Sequence, residues 1–264
     1  MYRWRPSKSW KSSKSRTTSN GTVTTGRDAR HLALPQVGAE GQQRIAAGKV
    51  LLIGVGGIGC ATAAYLASSG VGQLTVVDFD TVDETNLGRQ VLYTKAHVGE
   101  RKADVAAARL RKINPDIDVM AVNERLSGTA LRDAVAAADI VLDGSDNFAT
   151  RFDVSAACVA ASRRLVSGSA IRLEGQLAVF GPDYGESPCY QCLYADEDES
   201  LGDCSGQGVL APIPGVIGTL MAVETLKFLA GLSAPAPVLR LYDGAASEFR
   251  HLGVSKRKDC PACT

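Results

Sequence analysis

The sequence predicts an α/β fold: a doubly wound, mainly parallel sheet with an antiparallel C-terminal extension. Short apolar runs alternate with alanine-rich segments of helix length between residues 49 and 171, as β-α units do in a parallel sheet. Residues 50–77 contain no charged side chain, and six glycines lie among them. Beyond residue 171 the run EGQLAVF, a helix at residues 214–230 and strands near residues 238–252 suggest antiparallel pairing.

The parallel half contains most of the predicted elements. Gly70 closes its first helix, because glycine readily takes the left-handed backbone that ends helices, and Pro115 stops a later one. Residues 50–77 could span a membrane by length, but their glycines fit a buried strand, turn and helix better. In chain order the elements are strand KVLLIGV, helix CATAAYLASSG, strand QLTVVDFD, helix RKADVAAARLRKINP, strand IDVMAV, helix and strand in ALRDAVAAADIVLDGSD, helix NFATRFDVSAACVAASRR and a strand from RLVSGSA.

Residues 1–26 form a basic leader that we expect to be disordered. They carry six basic residues, no acid and few apolar side chains; a transit-type peptide and a tether to an anionic surface are the alternatives. Subtracting those six charges from the formal total of +1 leaves residues 27–264, predicted to be one domain, at −5. No basic face there favours nucleic acid. Seven cysteines without an apolar secretion signal favour reduced thiols and a cytoplasmic location.

A nucleotide site is predicted where the first strand meets its helix. Gly54, Gly56 and Gly59 of GVGGIG let backbone N–H groups approach phosphate oxygens at the positive end of a helix. Asp78 closes the second strand 19 residues after Gly59, where a carboxylate can hold ribose hydroxyls. The pattern indicates an adenosine nucleotide but does not separate NAD from ATP. Glycines that merely pack the helix on the sheet are the alternative.

The loop TNLGRQ favours a triphosphate. It places Asn86, Arg89 and Gln90 just after a strand's carboxyl end, and Lys102 opens the following helix. Two cations and an amide beside one nucleotide suit phosphates whose negative charge must be neutralised. An NAD-dependent oxidoreductase is the alternative enzyme class, but it needs a proton donor beside the hydride acceptor. The three histidines fall in no pattern for that role.

The segment DGSDN (residues 143–147) ends a later apolar strand. Two acids three residues apart at such a position can hold Mg²⁺ against nucleotide phosphates. The alternative is that one of them only caps the next helix. We assign Asp146 to the metal and Asp143 to its support.

Four cysteines form two C-x-x-C pairs, Cys189 with Cys192 and Cys260 with Cys263. One such pair can be a redox site, but two pairs in a chain of reduced thiols favour a metal. The second pair begins 68 positions after Cys192, which is far more than the spacing in a compact zinc ribbon, so the spacing alone leaves both interpretations open.

These motifs together resemble the MoeB/ThiF family, relatives of the ubiquitin-activating enzymes. The similarity runs from Arg27 to Cys263 through RDARHLALPQVGAEGQ, GVGGIG, VDFDTVDETNLGRQ, GERK, LDGSDN, SGSAIRLEGQ, PCYQCL, APIPGVIG, LRLYDG and CPAC. The resemblance implies a Rossmann-like fold with a structural zinc site, in which the thiolates of Cys189, Cys192, Cys260 and Cys263 bind Zn²⁺.

The resemblance also implies an ATP site with Mg²⁺. Arg30 matches an arginine that the family supplies from the second subunit of a homodimer, and Arg89, Lys102 and Asp146 are expected to be catalytic. The residues assigned to the nucleotide are Gly54, Gly56, Gly57, Gly59, Asp78, Asp80, Asn86, Arg89, Gln90, Lys102, Asp146 and Asn147.

The implied reaction is adenylation of the C-terminal Gly-Gly carboxylate of a small ubiquitin-fold sulfur carrier, MoaD-like or ThiS-like, for molybdopterin or thiamine synthesis. A carboxylate is ionised at neutral pH, so the reaction needs no general base. Cys204 falls where some relatives hold a cysteine that bonds covalently to the carrier during sulfur transfer. The sulfur is expected from a separate donor, such as a cysteine desulfurase or a rhodanese. A scaffold that only docks a ubiquitin-like partner is the alternative outside catalysis.

Overall fold

The structure, a computed structural model, describes residues 26–194, 208–232 and 237–264. The strands of these residues form one sheet and are β1 (Lys49–Ile53), β2 (Gln73–Val77), β3 (Asp118–Val122), β4 (Ile140–Asp143), β5 (Arg164–Ile171), β6 (Glu174–Phe180), β7 (Val238–Asp243) and β8 (Glu248–Gly253). Their order across the sheet is β3-β2-β1-β4-β5-β6-β7-β8. Neighbours from β3 to β5 pair in parallel, and those from β5 to β8 pair antiparallel.

Helices cover both faces of this sheet. They are α1 (Ala29–Leu32), α2 (Gly38–Ala47), α3 (Gly57–Ser68), α4 (Lys102–Ile113), α5 (Gly128–Ala137), α6 (Phe148–Ala160), α7 (Tyr190–Leu193) and α8 (Pro212–Leu229). Side chains of α3, α4 and α8 share one apolar core with one face of the sheet. Those of α5, α6 and α7 share a second core with the other face. The predicted doubly wound sheet with an antiparallel extension is therefore confirmed.

The glycine-rich, charge-free stretch folds as the sequence predicts, into β1, a turn, α3 and β2. β1 is buried at four of its five positions and lies between β2 and β4, which explains its apolar run. The predicted helix at residues 214–230 begins two residues earlier. Pro212 lies in its first turn, where the fixed φ of proline suits a helix and no N–H is required.

Helix α8 is the one helix of the described residues that is long and apolar enough to cross a membrane. In the structure it packs against α3 and against β5 and β6. The contact with α3 is so close that a Cβ on Gly218 would lie 2.3 Å from the carbonyl oxygen of Ile58. This is the placement of a core helix, whose apolar composition follows from burial.

Helices α1 and α2 were not predicted as helices, although their residues belong to a recognised motif. The reason is weak apolar periodicity, since Ile45 is the one large apolar side chain that α2 buries. Two glycines within α2 also lower its helix propensity. The predicted basic leader lies outside the described residues except for Gly26.

Candidate active site

The carboxyl ends of β1, β2 and β4 open into a cavity of about 520 Å³. The strand order reverses between β1 and β4, and ligands of open α/β sheets bind at such a point. Of the residues that the sequence assigns to a nucleotide, only Gly54 and Gly59 do not line it. Those that do are Gly56, Gly57, Asp78, Asp80, Asn86, Arg89, Gln90, Lys102, Asp146 and Asn147.

The turn between β1 and α3 requires its glycines. Gly54 has a φ of +83°, and a Cβ on Gly59 would lie 2.0 Å from the carbonyl oxygen of Gly54. Gly56 precedes the first residue of α3, and no side chain caps this end of the helix. The first N–H groups of α3 therefore remain available beside the cavity, which is an arrangement that suits an anion.

Asp78 is buried in the cavity wall and tied to the backbone. One carboxylate oxygen accepts the N–H of Val55 at 2.8 Å, and the other accepts the N–H of Asp80 at 3.0 Å. Burial raises the pKa of Asp78, although nearby Lys102 and these hydrogen bonds oppose the shift. Asp78 therefore holds the glycine-rich turn in place, and the predicted contact with ribose would use its remaining lone pairs.

The segment after β2 brings two cations to the cavity. Lys102, the first residue of α4, is buried and forms an ion pair with Asp80 at 2.8 Å. The guanidinium of Arg89 donates to the carbonyl oxygen of Thr85 at 3.1 Å. Beside them, buried Gln90 has a side-chain oxygen without a hydrogen-bond partner among the described residues. The site can thus place positive charge and an amide against a polyanion.

Some polar side chains of the segment DGSDN form hydrogen bonds that hold the backbone, and others line the cavity. Asp143 is fully buried and accepts hydrogen bonds from the N–H and the hydroxyl of Ser145, at 3.0 and 2.7 Å. Asn147 caps α6 by accepting the N–H of Thr150 at 2.9 Å, so neither acid is the cap. Asp146 is exposed and lines the cavity. One of its carboxylate oxygens accepts a hydrogen bond from the Asn147 side chain at 3.3 Å, and the other can meet a hydrated cation such as Mg²⁺. The assignment of Asp146 to the metal and of Asp143 to its support stays a prediction.

Arg151 lines the same cavity and was missed by the sequence analysis. Its guanidinium is buried, donates twice to the carbonyl oxygen of Ser145, and donates once to the hydroxyl of Tyr190. Burial opposes its charge, but Tyr190 and Asp143 outweigh burial, so the pKa of Arg151 is raised. An arginine between Phe148 and Phe152 on a helix is the signal that could have identified it.

The loop after β3 supplies an apolar wall that was also missed. Leu126 of this loop and Leu131 of α5 line the cavity. Arg125 and Phe79 also line the cavity, and the guanidinium of Arg125 lies 4.9 Å from the centroid of the Phe79 ring. A cavity lined by both apolar side chains and polar groups can accept a flat heterocycle joined to charged groups.

The four cysteines of the C-x-x-C pairs form one buried cluster. Their sulfurs lie within 4.8 Å of one another, with Cys189 3.6 Å from Cys260 and Cys192 3.5 Å from Cys263. Sulfurs bound to one tetrahedral zinc at 2.3 Å would be about 3.8 Å apart. Four buried sulfurs at these distances therefore fit Zn²⁺. Without a metal, burial raises the pKa of Cys189 and raises that of Cys263 to about 11, whereas the N–H groups of Ala262 and Cys263 outweigh burial at Cys260 and lower its pKa to about 7.

Two predicted residues lie away from the cavity or cannot be placed. Arg30 is exposed on α1 and does not line the cavity of its own chain. Cys204 lies outside the described residues. The roles predicted for these two residues, like those of the cavity residues, remain predictions.

Comparison with known proteins gives consistent matches over almost the whole chain. The sequence model described as the ThiF family matches residues 29–262. The chain is 44% identical over 237 residues to the sulfur carrier protein ThiS adenylyltransferase of Escherichia coli K12, which covers 90% of this chain and 94% of that protein. It is 43% identical over 235 residues to the molybdopterin-synthase adenylyltransferase of the same organism, covering 89% and 94%.

Longer relatives and solved structures extend this picture. The chain is 44% identical over 241 residues to the adenylyltransferase and sulfurtransferase MOCS3 of Mus musculus, covering 90% of this chain but 52% of that protein. It therefore spans about half the length of this relative. The structure is similar to that of E. coli MccB with ATP, with a TM-score of 0.79 at 23% identity over 93% of this chain and 75% of that one. This likeness shows a shared fold.

Proposed function

The chain belongs to the ThiF family, and we propose that it adenylates the C-terminal Gly-Gly carboxylate of a small ubiquitin-like sulfur carrier, MoaD-like or ThiS-like. Its relatives are named adenylyltransferases of such carrier systems, in thiamine and molybdopterin synthesis. The observation that carries the proposal is the convergence of Arg89, Lys102 and Asp146 with the uncapped start of α3 in one cavity.

The chemistry suits these residues. The carrier's carboxylate oxygen attacks the α-phosphorus of ATP, a new C(O)–O–P bond forms, the bond to the β-phosphate oxygen breaks, and pyrophosphate leaves. The nucleophile is already ionised, so proton transfer is not needed. Catalysis then depends on holding two anions together, which Arg89, Lys102 and the α3 N–H groups do by offering positive charge.

Two metals complete the proposal. Mg²⁺ held by Asp146 would neutralise phosphate charge. Zn²⁺ held by Cys189, Cys192, Cys260 and Cys263 would be structural, because four thiolates leave no open position for substrate.

The assembly and the sulfur step belong to the same proposal. We propose a homodimer in which Arg30 reaches the cavity of the other subunit, supported by its exposure on α1. Sulfur would then come from a separate donor, such as a cysteine desulfurase or a rhodanese. Cys204 would act in that later step, as a thiol that bonds to the carrier.

Exchange of labelled pyrophosphate into ATP tests the proposal, with MoaD-like and ThiS-like carriers supplied one at a time. We expect exchange that depends on one carrier and is lost when that carrier lacks its terminal glycine. Arg89→Ala should lower the exchange about 1,000-fold, as loss of a cation that stabilises phosphoryl transfer does. Arg109→Ala removes the same charge from an exposed site on α4 and is the matched control. Absence of carrier-dependent exchange with every carrier would refute the proposal.

A further inference from the structure

A chain of contacts joins the cysteine cluster to the acid that faces the cavity. We propose that Tyr190 and Arg151 are positioning residues that couple metal binding at the cluster to the placement of Asp146, so that the bound metal and the bound nucleotide strengthen each other. The proposal rests on the proposed function, because it takes the cavity as the nucleotide site.

The first link is covalent. Tyr190 directly follows Cys189 and begins α7, the short helix that also carries Cys192. Its side chain is 3% exposed, and its ring packs edge-on against Phe152 and Phe180 at centroid distances of 5.7 and 6.0 Å. A metal that fixes the two cysteine sulfurs therefore also fixes the backbone from which the Tyr190 hydroxyl projects.

The second link is the guanidinium of Arg151. It donates from Nη1 to the Tyr190 hydroxyl at 3.4 Å, and from Nε and Nη2 to the carbonyl oxygen of Ser145 at 3.2 and 2.7 Å. No carboxylate lies within 4.0 Å of it among the described residues. The guanidinium also lies 5.7 Å from the centroid of the Phe148 ring. Among the described residues its hydrogen bonds go to this carbonyl and this phenol, and no ion pair anchors it, so displacement of either partner displaces the guanidinium.

The third link is the peptide that joins Ser145 to Asp146. Its carbonyl oxygen is the one that Arg151 holds, while the N–H and hydroxyl of Ser145 are held by Asp143. Ser145 is thus fixed on both sides, and the side chain that follows it points into the cavity. Displacement of Arg151 would rotate this peptide and move the Asp146 carboxylate.

Coupling between two sites is reciprocal. If the metal at the cluster improves nucleotide affinity by some factor, then nucleotide improves retention of the metal by the same factor. A metal with a purely structural role would stabilise the fold, but in the folded protein it would not change the affinity for nucleotide, and nucleotide would not change the retention of the metal. The two roles therefore differ in a measurable quantity.

Two tyrosines next to the cluster provide matched variants. Tyr190→Phe removes the hydroxyl that contacts Arg151 and keeps the ring. Tyr184→Phe removes a buried hydroxyl in the same apolar core, but that hydroxyl donates to the carbonyl oxygen of Arg163 at 2.8 Å and has no link to the cavity. Arg151→Lys keeps the positive charge but loses the planar set of N–H donors that joins Tyr190 to Ser145. It tests the same link if Tyr190→Phe folds poorly.

The experiment measures release of zinc from the intact protein to a colorimetric chelator, with and without Mg²⁺ and a non-hydrolysable ATP analogue. We expect the analogue to slow release about five-fold in the wild type and in Tyr184→Phe, the effect of roughly one net hydrogen bond. In Tyr190→Phe and Arg151→Lys the ratio should fall to near one, with zinc still bound before the chelator is added. Calorimetry on zinc-depleted protein should show the analogue binding about five-fold more weakly than to the zinc-bound form.

The outcomes separate this inference from the function on which it rests. Equal slowing in the wild type and Tyr190→Phe, loss of slowing in Tyr184→Phe, or a cluster that holds no metal would each overturn the coupling. Nucleotide that binds normally without any effect on zinc release overturns the coupling and leaves the proposed function intact. Failure of the analogue to bind at all would instead refute the nucleotide site itself.

Discussion

The ammonium group of Lys102 lies 2.8 Å from a carboxylate oxygen of Asp80, with the lysine side chain 8% exposed and the aspartate side chain 50% exposed. A backbone hydrogen bond also joins the two residues, because the N–H of Lys102 donates to the carbonyl oxygen of Asp80 at 3.0 Å. The carboxylate therefore holds a nearly buried ammonium group in place in the wall of the cavity. A phosphate that enters meets a cation whose position is already fixed.

Removing this cation should impair catalysis more than removing its partner. We expect Lys102→Gln to lower carrier-dependent pyrophosphate exchange about 100- to 1,000-fold, the range for one preorganised donor to a developing charge. Asp80→Asn should cost about ten-fold, because the ammonium group remains but loses the carboxylate that anchors it. Lys112→Gln, at an exposed site of the same helix, is the control. Equal activity of Lys102→Gln and this control would exclude Lys102 from the site.

The cysteine cluster should contain about one zinc per chain. Cys263→Ser should lower the zinc content and the melting temperature, because the energy of metal binding contributes to folding. Cys158→Ala changes a buried cysteine outside the cluster and should retain the metal. Elemental analysis of freshly reduced protein and thermal unfolding measure both effects. Wild-type protein without zinc would contradict the assignment.

Asp143 should make stability depend on pH. Burial raises its pKa, and Asp146 adds to the rise, while Arg151 and the hydrogen bonds from Ser145 oppose it. The folded chain thus keeps a proton that the unfolded chain has already lost, so stability falls as pH rises from the ordinary pKa of an aspartate through the folded one. Each pKa unit of difference contributes about 1.4 kcal/mol to the free energy of unfolding.

Asp143→Asn cannot ionise and should flatten this dependence. Urea unfolding between about pH 4 and pH 8 measures it, with the variant losing less stability than the wild type as pH rises. Asp153→Asn, at an exposed position of α6, controls for the change of net charge. A variant whose profile runs parallel to that of the wild type would show that Asp143 does not titrate in this range.

Complementation should reveal a shared site. If Arg30 acts on the partner's cavity, Arg30→Ala and Asp146→Ala subunits are each inactive alone, but their mixed dimer contains one intact cavity. Mixing at equal amounts should then restore about a quarter of wild-type activity, since half of the dimers are mixed and each has one working site. Mass spectrometry of the intact assembly confirms mixing. Mixed dimers without activity would argue against Arg30 in trans.

Most of the predicted site residues line the cavity because their placement follows from local rules. A strand, a glycine-rich turn and a helix put Gly56 and Gly57 at the end of β1, and parallel strands bring the residues after β2 and β4 to the same edge. The positions of Asp146 and Lys102 at the cavity then follow from the order of the strands. The same rules gave the sheet and most of its helices.

Other parts of the site depend on contacts between distant segments, which spacing does not encode. The sequence shows two C-x-x-C pairs, but their meeting depends on how β6, β7 and β8 pair, and only the family resemblance supplied it. Arg151 was missed because its partners, Ser145 and Tyr190, lie on different segments. Asn147 as the cap of α6 could not be separated from the adjacent acids by residue type alone.

The cysteine cluster lies at both ends of a long loop of the chain. Cys189 and Cys192 follow β6, and Cys260 and Cys263 follow β8. The loop between them contains α8, β7 and β8, while β1 to β4 lie outside it, and α8 is held separately by its packing against α3. Loss of the metal would therefore free one edge of the sheet and leave its parallel centre intact. Amide protons of β7 and β8 would then exchange through partial opening, and those of β1 and β4 only through global unfolding. The single sheet would then unfold as two cooperative units, and the bound metal would determine whether the two unfold together or separately.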